Sequence, residues 1–148
     1  MDLESLDIIS RNINIKKLKK SKIKNILITG CSGFIGTYLI NSLLNKKIKN
    51  DFKIYGYDIV KPKFYGDVYE KKFFFYKKDL FKLKKITLKK NIDLTIHLAG
   101  IPSPSFYKLK PIETFYLNSE LSKIFLELAK KNKSKFVYFS SSEIYGNP

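Results

Sequence analysis

The sequence lacks several features that would assign it to a familiar class of protein. Its one cysteine, Cys31, excludes an internal disulfide. No apolar run approaches the roughly 20 residues of a membrane-spanning helix. The first twelve residues, MDLESLDIISRN, carry acidic side chains and no continuous apolar core, so they do not form a secretory signal. We therefore expect a cytoplasmic protein without a membrane partner.

Arginine and alanine are scarce, although the chain is strongly basic. The net charge is +16, yet Arg11 is the only arginine among 29 basic residues. Base and phosphate recognition favours the guanidinium fork, so this composition argues against specific nucleic-acid binding. Non-specific attraction to polyanions remains open. The lysines are spread along the chain, mostly on predicted polar helix faces and in loops, at 16–24, 46–49, 77–78, 82–90 and 130–135.

Three of the seven glycines fall in one segment, ILITGCSGFIG at residues 26–36. The apolar run before them reads as a buried parallel strand, and an amphipathic pattern follows them. In that context Gly30 permits a tight turn, Gly33 lets the backbone approach a pyrophosphate, and Gly36 lets the next helix pack closely. The segment predicts a phosphate site at a helix N-terminus. A structural glycine turn is the alternative.

An acidic residue stands where a dinucleotide site needs one. Residues 52–57 read as the second strand, and Asp58 follows Gly36 by 22 residues. A carboxylate there accepts a hydrogen bond from the adenosine ribose and repels a 2′-phosphate, which favours NAD over NADP. The alternative is a solvated loop aspartate.

Five short apolar runs alternate with longer helical patterns, which is typical of βαβ units. We predict one Rossmann-type α/β domain, a doubly wound parallel sheet of strand order 3-2-1-4-5, with the cofactor between strands 1 and 4. The predicted strands are 24–29, 52–57, 73–77, 92–97 and 135–140. Residues 1–22 are a polar lead-in that could be helical, and residues 23–148 form the NAD-binding domain.

Two apolar stripes predict helices that pack on this sheet. Helix 34–47 presents Ile35, Leu39, Ile40, Leu43 and Leu44, and helix 112–132 presents Leu117, Leu121, Ile124, Phe125 and Leu128. We also predict a short basic helix at 82–91 and a loop at 60–71, where Pro62 and Gly66 interrupt regular structure.

The motifs and their order resemble the NAD-dependent sugar-nucleotide epimerase/dehydratase family, the extended short-chain dehydrogenases. The resemblance covers residues 24–148. It rests on TGxxGFIG, Asp58, Asp79–Leu80, HLAG at 97–100, Asn118 and SSSEIYGNP at 140–148. HLAGIPSPSFYKLKP followed by SSSEIYGNP is most similar to the UDP-glucuronate decarboxylase branch, with dehydratases and epimerases next.

The resemblance implies a cofactor role for each matched position. Gly30, Gly33, Phe34, Ile35 and Gly36 would hold the NAD pyrophosphate, and Asp58 the ribose. Asp79 and Leu80 would flank the adenine. Leu98, Ala99 and Gly100 would let the cofactor approach the end of the fourth strand. Asn118 would brace the strand ends, with a plain packing role as the alternative. The histidine at the position of His97 is usually structural in this family, so we expect a structural role for His97, with a catalytic base as the lesser alternative. Ser103, Pro104 and Tyr107 would line the sugar-nucleotide pocket.

The resemblance also assigns the chemistry. Ser141 would bind the sugar 4-hydroxyl, and Glu143 would orient the ring or move a proton near C5. The alternatives are a strand-terminal hydroxyl that caps the backbone for Ser141 and a solvated loop acid for Glu143. Ser142 stands where glucose dehydratases commonly carry an aspartate, which favours the decarboxylase branch. The family's Tyr-x-x-x-Lys base pair and substrate lobe are expected beyond Pro148, and Tyr116 replaces a lysine of the branch. We thus expect the cofactor-binding half of a homodimeric enzyme without a metal, or a non-catalytic NAD-binding module.

Overall fold

The computed structural model describes residues 3–12, 17, 20–48 and 50–146 of the chain. Five parallel strands form one sheet in the order β3-β2-β1-β4-β5, which confirms the predicted fold class. The strands begin or end within two residues of the predicted positions. They are β1 (Asn25–Thr29), β2 (Lys53–Asp58), β3 (Phe73–Lys77), β4 (Leu94–His97) and β5 (Lys135–Tyr138).

The helices lie between these strands. The longest helical run is interrupted by a π-helical turn, Tyr116–Glu120, between two α-helices. The α-helices are α1 (Leu3–Asn12), α2 (Phe34–Leu44), α3 (Pro104–Leu109), α4 (Pro111–Phe115) and α5 (Leu121–Asn132). Short 3₁₀ turns occupy Glu70–Lys72, Leu80–Lys82 and Ser142–Tyr145. Among the described residues, no helix has the length and apolar character to cross a membrane.

The predicted basic helix at 82–91 is wrong. The chain forms only the 3₁₀ turn Leu80–Lys82 there and then continues without helix. Its apolar residues Leu83, Ile86 and Leu88 pack against the core from an extended chain. Ile86 follows Leu83 by three residues and Leu88 follows Ile86 by two. This spacing does not place the three side chains on one face of a helix, so a helix could not bury all of them.

The central strands β1, β2 and β4 are buried on both faces, as strands of parallel sheets usually are, whereas the edge strands β3 and β5 are partly exposed. Successive strand residues point to opposite faces, so Ile26 and Ile28 pack with α2, whereas Leu27 packs with α5. From α2, Leu39, Ile40, Leu43 and Leu44 contribute to the core as predicted, but Ile35 is 49% exposed and was wrongly placed there. Ile35 lies in the first turn of the helix, at the carboxyl end of β1.

The lead-in contains a helix that docks on the domain. Leu6 and Ser10 of α1 are buried, and α1 packs on α2. The Asp7 carboxylate lies 2.7 Å from Lys47 Nζ and 2.6 Å from Arg11 of its own helix. These two cations hold the pKa of Asp7 below its usual range, with the Lys47 hydrogen bond as the larger cause.

Candidate cofactor and substrate site

The predicted site residues gather at the carboxyl edge of the sheet. Because all five strands are parallel, the segments that follow them meet on that edge. β1 lies beside β4 in the centre, and the chain leaves these two strands toward opposite faces. Such a switch point leaves a crevice in which doubly wound domains bind nucleotides.

Gly30 closes the bottom of this crevice. Its φ is +64°, and a Cβ there would lie 2.8 Å from the backbone nitrogen of Ala99. Its own N–H donates to Tyr57 O at 3.0 Å. The turn after β1 therefore passes directly against the turn after β4, which requires a residue without a side chain.

The N-terminus of α2 is bare backbone suited to a diphosphate. Gly33 is the N-cap residue, and no side chain caps the helix. A Cβ on Gly36 would lie 2.8 Å from Cys31 Cα, so Gly36 lets the loop close against the helix. The first N–H groups, those of Phe34, Ile35 and Gly36, have no acceptor one turn earlier in a helix. They attract an anion there.

Asp58 holds the glycine loop in place. One carboxylate oxygen accepts from Ser32 N at 2.9 Å and the other accepts from Ile59 N at 2.7 Å. A carboxylate has about four acceptor sites, so lone pairs remain for a ribose hydroxyl. The Ser32 hydroxyl donates to Val60 O and ties the loop to the same segment. Ribose binding by Asp58 stays a prediction.

Asp79 and Leu80 occupy different environments. The Asp79 carboxylate caps the 3₁₀ turn by accepting from Phe81 N at 3.1 Å, and its other oxygen lies 3.8 Å from Lys82 Nζ. The Leu80 side chain is buried with Tyr57 in the core. The Leu80 side chain is therefore not available to adenine, and the predicted contact is limited to Asp79 and the Leu80 backbone.

Sequence reasoning missed the role of Thr29. Its Oγ1 lies 3.2 Å from both Leu98 N and Ala99 N, and 2.6 Å from His97 Nδ1. The hydroxyl therefore holds the start of the predicted cofactor-binding turn. A threonine that ends a strand immediately before the glycine loop is the signal that could have identified it.

His97 is enclosed in the core and does not reach the crevice. Its side chain is fully buried, and its ring packs against Phe125, Phe136 and Tyr138. Burial lowers the pKa of His97 to about 4. This environment supports the structural interpretation over the catalytic one.

Asn118 braces the turn after β4 from the π-helical turn. Its Oδ1 accepts from Ile101 N at 3.0 Å, and its Nδ2 donates to Ile101 O at 3.2 Å. Tyr138 OH donates to Asn118 O at 2.8 Å and links the brace to β5. A Cβ on Gly100 would lie 2.5 Å from Asn118 Oδ1, so a larger residue at position 100 would displace the Asn118 amide.

The predicted substrate residues lie beside this turn. Ser103 precedes α3, Pro104 begins it, and the Tyr107 ring is partly exposed. Ser103 Oγ lies 2.8 Å from Ser105 Oγ. Tyr116 turns away from this region, because its hydroxyl donates to Leu83 O at 2.5 Å and its ring packs against Phe81.

The predicted catalytic residues follow β5. Ser141 is exposed at the same edge of the sheet, and its carbonyl accepts from Ile144 N at 3.4 Å. Glu143 lies in the 3₁₀ turn Ser142–Tyr145, and its side chain is outside the described part of the structure. Their roles stay predictions.

Two other reactive side chains are unsuited to catalysis. Burial raises the pKa of the Cys31 thiol to about 12, which agrees with its interpretation as a small loop residue. Tyr57 and Lys61 form the one Tyr-x-x-x-Lys spacing in the sequence. Tyr57 is buried, and burial raises its pKa to about 12, the opposite of what a general base needs.

Comparison with known proteins agrees with this geometry. Residues 26–148 match the NAD dependent epimerase/dehydratase family. The chain is 32% identical over 139 residues to the bifunctional polymyxin resistance protein ArnA of Wigglesworthia glossinidia brevipalpis, covering 92% of this chain and 21% of that protein. It is 29% identical over 133 residues to UDP-glucuronic acid decarboxylase 4 of Arabidopsis thaliana, covering 87% and 28%.

A solved structure shows the same fold. The UDP-glucose 4-epimerase of Bifidobacterium longum, in complex with NAD⁺ and UDP, superposes with a TM-score of 0.64 at 27% identity. The match covers 84% of this chain and 39% of that one. The chain therefore spans well under half the length of these relatives.

Proposed function

Since the chain belongs to the NAD dependent epimerase/dehydratase family, we propose that residues 23–148 are the NAD-binding domain of a sugar-nucleotide enzyme. The observation that carries the proposal is the bare N-terminus of α2 beside Asp58. Gly33 leaves that terminus without a side-chain cap, and the Asp58 carboxylate fixes the loop that leads to it. A diphosphate fits the first feature and an adenosine ribose fits the second.

The residues present fit NAD better than NADP. Asp58 already accepts two backbone hydrogen bonds in the loop, and its remaining lone pairs suit a ribose diol. A 2′-phosphate would bring negative charge against this carboxylate, which is unfavourable. Bound NAD supplies a hydride acceptor. The chain's own contribution is to bind the diphosphate, orient the ribose and hold the turn after β4.

The finer proposal is a decarboxylase that acts on UDP-glucuronate. Ser141 would hold the sugar 4-hydroxyl by a hydrogen bond while that carbon is oxidised, and Glu143 would orient the ring. A ketone at C4 makes the C6 carboxylate a β-keto acid, which loses CO₂ readily. Relatives that include a UDP-glucuronic acid decarboxylase support this choice. An epimerase is also among the relatives, so 4-epimerase and 4,6-dehydratase are the alternatives.

Cofactor choice tests the proposal directly. We expect calorimetric titration of the 148-residue protein to give tighter binding of NAD than of NADP. Asp58→Ala should reduce the ratio of NAD affinity to NADP affinity roughly tenfold. The substitution removes a charge-assisted hydrogen bond to NAD and a repulsion of NADP, which together are worth about 1.4 kcal/mol or more. Asp51→Ala is the matched control, since Asp51 is an exposed aspartate near the opposite end of β2. Tighter binding of NADP would overturn the assignment of Asp58.

Turnover tests the finer proposal. We expect the 148-residue chain to release no CO₂ from UDP-glucuronate, because deprotonating a sugar hydroxyl costs about 1.4 kcal/mol for each pKa unit of mismatch with the base. A protein extended through a Tyr-x-x-x-Lys pair and a C-terminal lobe should release CO₂ without net NAD reduction. In that protein Ser141→Ala should slow the reaction roughly 10²-fold, and the neighbouring Ser140→Ala should not.

Other outcomes of the turnover experiment identify the alternatives. Inversion at C4 would make the extended protein an epimerase, and loss of water would make it a dehydratase. Measurable CO₂ release by the 148-residue chain would contradict the proposed division of labour. NAD binding without any turnover by the extended protein would favour the non-catalytic module.

A further inference from the structure

The last residues of the two central strands form a buried polar pair. Thr29 ends β1 and His97 ends β4, and the two are register partners in the parallel ladder. Both side chains are fully buried. The distance of 2.6 Å between Thr29 Oγ1 and His97 Nδ1 is that of a short hydrogen bond. The distance alone does not say which atom donates.

The other contacts of the Thr29 hydroxyl decide the donor. A hydroxyl has one proton and two acceptor lone pairs. Ala99 N–H donates to Thr29 Oγ1 at 3.2 Å, and Leu98 N–H lies 3.2 Å from both Thr29 Oγ1 and Thr29 O, so two N–H groups already face the hydroxyl oxygen. A proton on His97 Nδ1 would therefore be a third donor to an oxygen that can accept two. Such a proton would also leave the buried Thr29 hydroxyl proton without an acceptor among the described residues, so the hydroxyl donates to an unprotonated Nδ1.

We propose that His97 is a positioning residue for the cofactor edge: as the neutral tautomer protonated at Nε2, it accepts the Thr29 hydroxyl proton and so aims both lone pairs of that oxygen at the Leu98 and Ala99 amides. This fixes the turn Leu98–Gly100 against Gly30. The tautomer stands on the hydrogen bonds alone. The consequence for NAD binding rests on the proposed function.

The environment of the ring supports this assignment. The ring centroid of His97 lies 5.2 Å from that of Phe125, 6.3 Å from that of Phe136 and 5.7 Å from that of Tyr138. Desolvation by these neighbours lowers the pKa of His97 to about 4, which keeps Nδ1 available as an acceptor at neutral pH. Among the described residues Nε2 has no partner. Nε2 is therefore unpaired among these residues in either tautomer, and the assignment rests on the hydrogen bond at Nδ1.

The tautomer is directly measurable, because His97 is the only histidine in the chain. In a ¹⁵N-labelled sample at pH 7, long-range ¹H–¹⁵N correlation should show one imidazole with a protonated Nε2 and a bare Nδ1. The Leu98 and Ala99 amides should exchange slowly. A protonated Nδ1, or fast averaging between tautomers, would overturn the proposal, and neither measurement depends on NAD.

Two substitutions separate positioning from packing. Asn places its side-chain oxygen where His97 Nδ1 lies, whereas Phe fills the space without an acceptor. We expect His97→Asn to bind NAD within about threefold of the unmodified protein and His97→Phe to bind it roughly tenfold more weakly, the value of one hydrogen bond. An equal loss of NAD affinity in His97→Asn and His97→Phe would contradict the proposal. Unfolded variants are identified by circular dichroism, and the tautomer measurement then decides alone.

A double-mutant cycle with Thr29 gives the final control. Thr29→Val removes the hydroxyl and keeps the shape, so His97→Phe should weaken NAD binding little further in that background. Additive losses would show that His97 acts without Thr29 and would overturn the proposal. If the unmodified protein binds no NAD, the proposed function fails, while the imidazole spectrum and amide exchange still test the tautomer.

Discussion

At the scale of the residue, Gly30 carries two separate constraints. Its φ of +64° lies in the left-handed region, and a Cβ would also lie within 2.9 Å of the Ala99 backbone nitrogen and Cα. The first constraint is conformational and costs a non-glycine residue about 1 kcal/mol. The second is a collision between two backbone segments, which no side-chain rotation relieves. The two constraints can be separated because Gly146 has only the first, with φ +78° and open space around it.

We therefore expect Gly30→Ala to lower the free energy of unfolding by about 2–3 kcal/mol and to abolish detectable NAD binding, because the turn after β4 must move. Gly146→Ala should cost about 1 kcal/mol or less and leave NAD affinity unchanged. Urea denaturation and calorimetric titration measure the two quantities. Equal effects of the two substitutions would show that backbone conformation, and not the close approach, requires glycine at position 30.

At the scale of the element, α1 joins the domain through one face of a short helix. Leu6 and Ser10 point inward, while Ile8 is 52% exposed. Ser10 Oγ donates to Leu6 O at 2.7 Å and accepts from Asn45 Nδ2 at 3.5 Å. The ion pair between Asp7 and Lys47 joins the helix to the segment just after α2. A ten-residue helix is marginal alone in water, so this docking stabilises it.

Leu6→Ala should therefore lower the free energy of unfolding by about 2 kcal/mol, the lower end for a buried leucine, because α1 is peripheral. Ile8→Ala is the matched control on the same helix, and its effect should stay within about 0.5 kcal/mol. Thermal and urea denaturation of both variants measure the difference. NAD affinity should change in neither, since Ser5 and Ile9, and not Leu6 or Ile8, are the residues of α1 that line a cavity with Phe34 and Ile35. A loss of affinity in Leu6→Ala would show that α1 supports the site.

At the scale of the whole molecule, topology was more predictable from sequence than side-chain placement. Alternating strands and helices with right-handed crossovers leave few arrangements of a parallel sheet, and the glycine loop with Asp58 favoured the strand order of dinucleotide-binding domains. The pattern could not show that Ile35 would be exposed, because periodicity places a residue on a face without saying where the core ends. It also could not show that Thr29 meets His97, since 68 residues separate them in sequence.

The stability of the whole domain should depend on pH through His97. Its pKa is about 4 in the folded protein against 6.5 for an unperturbed histidine. Between these values the unfolded chain binds a proton that the folded chain does not. The free energy of unfolding should therefore be highest above pH 6.5 and fall by about 3 kcal/mol as the pH drops toward 4.

Urea denaturation of the unmodified protein and of His97→Asn at a series of pH values from 7.5 to about 4.5 measures this dependence. His97→Asn lacks the titrating group, so its curve should be nearly flat over that range, although its stability at pH 7 is lower. The carboxylates and lysines are the same in both proteins, so any change in self-repulsion at the net charge of +16 is common to the two curves. The difference between the two curves therefore isolates His97. If the two proteins gave parallel curves of unfolding free energy against pH, the pKa of His97 would be the same in the folded and unfolded protein, which would contradict the prediction.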